Sequence, residues 1–113
     1  NPSEQNLALE NVKTIDIDTF KSYLGNKNIQ KIDVRTENEY KSGHIKGVEN
    51  IALNTLENNL DKINKKEPVI IHCQSGTRAA IAYSILAKNG FENILNYSGG
   101  INEWKDKNNE LVK

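Results

Sequence analysis

Five short apolar runs alternate with helix-forming stretches along this chain, and that alternation leaves few folds open to it. The runs are residues 12–15, 29–34, 48–52, 69–72 and 94–97. Short apolar runs of this length suit strands buried on both faces, and strands that alternate with helices pair in parallel through crossovers. The predicted fold class is therefore α/β: a five-stranded parallel sheet with helices on both faces, in three layers. Asp18 is placed as the cap of a helix carrying Thr19, Phe20 and Leu24 and ending near Gly25. Residues 37–41 predict a helical turn stopped by Gly43. Asn54 or Thr55 is placed as the cap of a helix with Leu56, Leu60 and Ile63 on one face. The clearest helix spans residues 78–89, with Ala79, Ala82, Ile85 and Leu86 apolar and Gly90 as its stop. Gly99-Gly100 turns the chain into a last helix around Trp104.

At 113 residues the chain makes one domain. Residues 1–10 are polar and read as a linker or arm, leaving 11–113 as the domain. The chain begins at Asn1 and has no methionine, which is read as the mark of a processed product or, in preference, of a domain taken from a longer polypeptide. Fifteen basic residues balance fifteen acidic ones, so there is no electrostatic footprint for nucleic acid or for an anionic membrane. No apolar run approaches the roughly 18 residues that span a bilayer, and no signal-peptide pattern is visible. The one cysteine forms no internal disulfide and builds no cysteine-rich zinc site. That usage favours a reducing compartment, and a cytoplasmic location is expected.

That cysteine, Cys73, stands where the run 69–71 gives way to a loop with a glycine and then to the helix at 78. A thiol at a strand end beneath a helix N-terminus meets backbone N–H groups and the positive end of the helix dipole, which favour thiolate. A thiolate of this kind is a nucleophile that needs no separate base. Gly76 lets the loop turn inward, Ser75 and Thr77 can offer hydroxyl donors, and Arg78 can hold an oxyanion or brace the loop. His72 precedes Cys73 on the strand and should face the other way by alternation, which argues against a neighbouring Cys–His dyad. In open parallel sheets, ligands sit outside the carboxyl ends of the strands. Asp33-Val34-Arg35, residues 73–78 and Ser98-Gly99-Gly100 all fall at that edge.

Three ordered motifs resemble the rhodanese family of sulfurtransferases, over about residues 12–105. Cys73-Gln74-Ser75-Gly76-Thr77-Arg78-Ala79 is similar to that family's active-site loop. Ile32-Asp33-Val34-Arg35 with Glu37, Glu39-Tyr40 and Gly43-His44-Ile45-Lys46-Gly47-Val48 resembles its first signature. Gly99-Gly100 followed by Trp104 resembles its closing one. The resemblance implies catalysis by Cys73 and Arg78, with Gln74, Ser75, Gly76 and Thr77 binding substrate and Asp33 and Arg35 in support. Cys73 would take the sulfane sulfur of thiosulfate or of a persulfide, and a thiol or cyanide would then accept it. No metal or organic cofactor is implied. The expected partners are a small-molecule sulfur donor and a thiol acceptor, with an adjacent domain of a parent chain as a further candidate, and neither nucleic acid nor membrane.

Around that centre the expectations are specific. Asp33 should order the neighbouring loops, and Arg35 should pair with Glu39 or another carboxylate nearby. His44 is read as a loop-ordering residue, and Trp104 as part of the core or the site wall. Gln74, where the commoner residue is arginine, removes a cation and tilts preference from thiosulfate toward a thiol-bound persulfide. Two alternatives stand beside this reading. One is a persulfide relay module of a multidomain protein, with the same chemistry at Cys73. The other is a cysteine phosphatase or arsenate reductase, whose loop has five residues between Cys and Arg; here there are four, 74–77, and a contracted cradle suits one sulfur atom better than a tetrahedral oxyanion.

Overall fold

A computed structural model describes residues 13–113, so the leader expected at 1–10, its boundary and Val12 lie outside the described residues. The elements run β1 (Thr14–Ile15), α1 (Ile17–Tyr23), β2 (Gln30–Asp33), α2 (Glu37–Ser42), β3 (Glu49–Asn50), a 3₁₀ segment (Leu53–Lys62), β4 (Val69–His72), α3 (Thr77–Lys88), β5 (Ile94–Tyr97) and α4 (Gly100–Asp106). The five strands form one sheet in the order β1-β5-β4-β2-β3, and every pairing is parallel. The predicted α/β architecture is the one that forms.

Alternation along β4 sorts the core into two layers. Val69, Ile71 and Cys73 face α3 and the 3₁₀ segment, packing with Leu56, Ala79, Ala82 and Leu86. Ile70 faces the other way, toward Phe20 of α1 and Ile101 and Trp104 of α4. Burying a side chain such as Ile70 or Ile71 contributes about 1.5–3 kcal/mol, so the central strand is anchored from both sides. From β2 the chain steps outward to β3, and β4 returns to the opposite side of β2. That reversal places the switch point of the sheet at the carboxyl ends of β2 and β4, where a ligand crevice opens. Asp33-Val34-Arg35 and the loop after Cys73 both leave from there.

Several boundaries differ from expectation for identifiable reasons. The cap of α1 is Asp16, whose Oδ1 accepts from Thr19 N–H at 2.8 Å; Asp18 falls inside the first turn. β3 is two residues long, although Val48 and Ile51 are buried, because the apolar run there reports burial, not ladder pairing. The helix expected near Asn54 or Thr55 is a 3₁₀ run that starts after Ala52 with no side-chain cap and breaks at Asn59 (φ −122°, ψ 18°). Asn59 Nδ2 donates to Thr55 O and Thr55 Oγ1 to Ala52 O, so side chains compete with the α-helical ladder. Leu56 and Ile63 are buried nonetheless.

His72 faces away from Cys73, as alternation requires, and its ring lies fully buried beside Phe20 and Tyr97. Nε2 has no hydrogen-bond partner and sits 4.0 Å from Asp33 Oδ2. Burial is the largest influence and pushes the imidazole below its ordinary 6.5, against the opposing pull of Asp33. The folded chain therefore refuses a proton that the unfolded chain accepts below pH 6.5. Stability should be full above that pH and fall as pH drops below it. His72→Leu should flatten this part of the profile, measured as urea midpoints from pH 8 to 5 against the parent. Equal slopes in the two proteins would assign the acid sensitivity to other groups.

Candidate active site

The loop after β4 is built around the sulfur of Cys73. Sγ accepts from Gly76 N–H at 3.1 Å and from Ala79 N–H at 3.3 Å. Gly76 is the N-cap position of α3 and has no side chain to cap it. The sulfur supplies the missing acceptor for the third helical N–H, which places it at the positive end of a twelve-residue helix. Gly76 takes φ +106°, and a Cβ there would lie 2.7 Å from Ser98 O, so only glycine fits. Cys73 as a residue is 1% exposed, which sets the sulfur at the floor of the loop. The hydroxyl donors expected from Ser75 and Thr77 do not materialise: both residues are exposed, and among the described residues the donors to Sγ are amides. Ala79 lies beyond the residues 74–77 that the resemblance implies as binding substrate, and its N–H is the donor that sequence reasoning missed.

The carbonyl side of the same loop is held by α4. Ile101 N–H donates to Cys73 O and Asn102 N–H to Gln74 O, each at 3.0 Å. The free amides at the start of one helix thus bind the loop's carbonyls, while the start of α3 holds the sulfur. Gly100 makes this approach possible. It has φ +63°, and a Cβ would lie 2.4 Å from Cys73 O and 2.7 Å from Gln74 O, both backbone atoms. At Gly99 the three atoms nearest a Cβ belong to the Glu103 side chain, from Oε1 at 2.2 Å to Cβ at 2.9 Å, and none is backbone. Gly100→Ala should cost more than about 2 kcal/mol, combining the left-handed penalty with the clash. Denaturation midpoints check this; an unchanged midpoint would mean that the loop and α4 separate easily.

Gln74 is half-buried and held at both ends. Its Nε2 donates to Asn102 Oδ1 at 2.7 Å, and its Oε1 accepts from Arg35 Nη1 at 3.4 Å. Asn102 carries no local signal for this role, since it lies 28 residues downstream.

The two arginines are both paired, and for Arg35 the partner is the second of the two options expected, another carboxylate nearby. Arg35 does not bond Glu39; its carboxylate is Asp33. Arg35 Nε reaches Asp33 Oδ1 at 3.1 Å and Oδ2 at 2.9 Å, and Nη2 reaches Oδ2 at 2.8 Å. Asp33 is 0% exposed and Arg35 is 3% exposed. Arg35 Nη2 also donates to Gly43 O, which ties β2 to the end of α2. Glu39 is committed elsewhere. It forms a capping box with Thr36 and a bidentate pair with Arg78, at 2.6 and 3.0 Å. The hydrogen bond from Arg78 holds the Glu39 carboxyl at about 2. Arg78 thus braces the loop against α2. His44 stacks on Tyr40 and bonds Tyr40 O through Nδ1 at 2.8 Å, while its backbone pairs with Val112. Trp104 is buried, with Nε1 donating to Glu110 O. Both fill the structural roles expected. Among the described residues, no group of three or more His, Cys, Asp and Glu is placed to hold a metal ion, and no helix is long and apolar enough to cross a membrane.

The model of the rhodanese-like domain matches residues 16–107. The chain belongs to the rhodanese family. This rhodanese domain is 38% identical over 96 residues to the uncharacterized protein YqhL of Bacillus subtilis, covering 85% of this chain and 75% of that one. It is 29% identical over 94 residues to a protein of Allochromatium vinosum named a sulfurtransferase, covering 82% and 88% of the two. Among solved structures it superposes on reduced Bacillus anthracis CoADR-RHD with a TM-score of 0.81 at 30% identity, covering 90% of this chain and 18% of that one.

Proposed function

We propose that this rhodanese domain transfers sulfane sulfur through a persulfide on Cys73. Sulfur transfer in general is supported by the family and by a relative named a sulfurtransferase. The observation that carries the mechanism is the pair of backbone N–H groups converging on Sγ, one from Gly76 in the loop and one from Ala79 in the first turn of α3. Donors of this kind stabilise negative charge on sulfur without a titratable side chain. The Cys73 thiolate attacks the outer sulfur of the donor. The donor's S–S bond breaks, the leaving group departs with the electron pair as a thiol or sulfite, and the new S–S bond makes Cys73 a persulfide. A second nucleophile then takes the outer sulfur and returns the thiolate. No net oxidant enters either step.

The donor we favour is the persulfide of a small thiol over thiosulfate. Thiosulfate brings a doubly charged anion, yet Arg35 is neutralised by Asp33 and Arg78 by Glu39. A persulfide relay is a second reading, in which the donor or acceptor is a neighbouring domain. It is favoured by the superposed structure, in which the matched region is 18% of a longer chain.

The test is intact-mass spectrometry after incubation with thiosulfate and, separately, with glutathione persulfide. A gain of about 32 mass units that is lost on adding cyanide or thiol is the expected result. Faster loading from the persulfide supports the preferred donor. No adduct from either source would overturn the sulfurtransferase reading and bring phosphatase and arsenate assays forward.

A further inference from the structure

We infer that Lys105 and the groove beside Gln74 recognise a carboxylate on the thiol that exchanges sulfur with Cys73. The inference rests on the persulfide reading above and names its substrate class. A groove of about 250 Å³ runs along Arg35, Gly43, Gln74, Ile101, Lys105 and Leu111. It adjoins the reacting loop through one covalent and one hydrogen-bonded neighbour of Cys73: Gln74 follows it in the chain, and Ile101 donates its N–H to Cys73 O. Lys105 lies one turn beyond Ile101 on α4, so the two share a face of that helix.

The polar groups lining the groove are mostly committed. Arg35 is engaged by Asp33, Gly43 O and Gln74. Glu39, also on its wall, is engaged by Arg78. Both ends of the Gln74 amide are held. Ser42 Oγ donates to Asn38 O, and Gly43 O accepts from Arg35. Lys105 is different. It is exposed, and among the described residues no carboxylate lies within ion-pair distance of it.

The groove therefore presents one uncompensated positive charge at its rim and one partly exposed apolar side chain, Leu111. A ligand that complements it has a carboxylate set several bonds from its sulfur by an apolar or peptide-like stem. The stem lies on Leu111, and the sulfur end faces the loop. Small thiols bearing a carboxylate have this shape; thiosulfate, whose charge sits one bond from the transferred sulfur, does not. The transfer itself is unchanged: with R–S–SH as donor, the Cys73 thiolate takes the outer sulfur and RS⁻ leaves with the bonding pair, so charge and protons balance.

The experiment loads Cys73 with sulfur from excess donor, removes the donor, and follows discharge by glutathione or by 2-mercaptoethanol, a neutral thiol. The readout is the ratio of the two second-order rate constants. Exposed ion pairs are weak, so Lys105→Gln should lower the glutathione preference about threefold and Lys105→Glu by about tenfold, with Lys105→Arg close to the parent. In the parent the preference should also shrink as salt is added. A ratio that is the same in parent, Gln and Glu variants overturns the role of Lys105 while leaving the persulfide intact. A parent protein that never loads sulfur overturns the persulfide reading, and this inference with it.

Discussion

Replacing Cys73 with serine is expected to abolish sulfur loading, with turnover falling at least about a thousandfold, while the domain stays folded. The two side chains differ by one atom, and the consequences separate cleanly. For the fold, what matters is an acceptor at the start of α3. Sγ accepts from Gly76 and Ala79 N–H, and a serine oxygen can accept the same protons, so the helix keeps its cap. The expected stability change is within about 1 kcal/mol, the scale of one exchanged hydrogen bond. For the chemistry, what matters is an anionic sulfur. A serine hydroxyl is not ionised under the same conditions and cannot carry a sulfane sulfur. The chain has no second cysteine to take over. Intact-mass spectrometry with both donors, beside urea denaturation, checks the two halves together. A folded Cys73→Ser protein that still gained sulfur would show that Cys73 is not the carrier.

That clarity has a counterpart in what could be read from the residues. β4 and the loop after it were legible because they depend on local rules: an apolar run, a glycine where the backbone turns left-handed, and a helix whose first amides need acceptors. The opposite facing of His72 followed from strand alternation alone. For the charged groups, a nearby carboxylate for Arg35 was legible, but which one it is and the partner of Glu39 were not. Arg35 and Glu39 sit at suitable spacing in the sequence, yet each bonds a different partner. Asp33 lies at the end of β2, where its carboxylate turns back beneath Arg35. Glu39 is drawn to the start of α2 by Thr36 and across to Arg78. The Glu39–Arg78 choice is set by which strands are neighbours, and β2 and β4 become neighbours only through the sheet order. The Gln74–Asn102 bond is hidden for the same reason, since the start of α4 reaches the loop only after β5 has paired with β4. The 3₁₀ segment shows a local failure: leucine spacing predicted which side chains are buried, but Asn59 and Thr55 decided the backbone.

Asp33→Ala is expected to destabilise the domain by about 3–5 kcal/mol, the cost of breaking a buried ion pair from one side. Asp33 receives the Arg35 backbone N–H, Nε and Nη2. Removing the carboxylate leaves a guanidinium in a space where Arg35 is 3% exposed, without its counter-charge. A domain of ordinary stability has about 5–15 kcal/mol in total, so the loss is a large fraction. Removing both partners behaves differently. Because desolvation offsets much of the attraction, Asp33→Leu combined with Arg35→Met should recover most of the lost stability. It should not recover the site, because Arg35 also binds Gly43 O and Gln74 Oε1, and methionine can donate to neither. Urea denaturation of the single and double variants should therefore show near-parental stability in the double, while its rate of sulfur loading stays depressed. If Asp33→Ala alone cost less than about 1 kcal/mol, Arg35 would have found solvent or another acceptor, and the pair would not be the clamp its geometry indicates. If the double variant regained both stability and loading, the pair would serve the fold alone, and the ordering of Gln74 would have to come from Asn102.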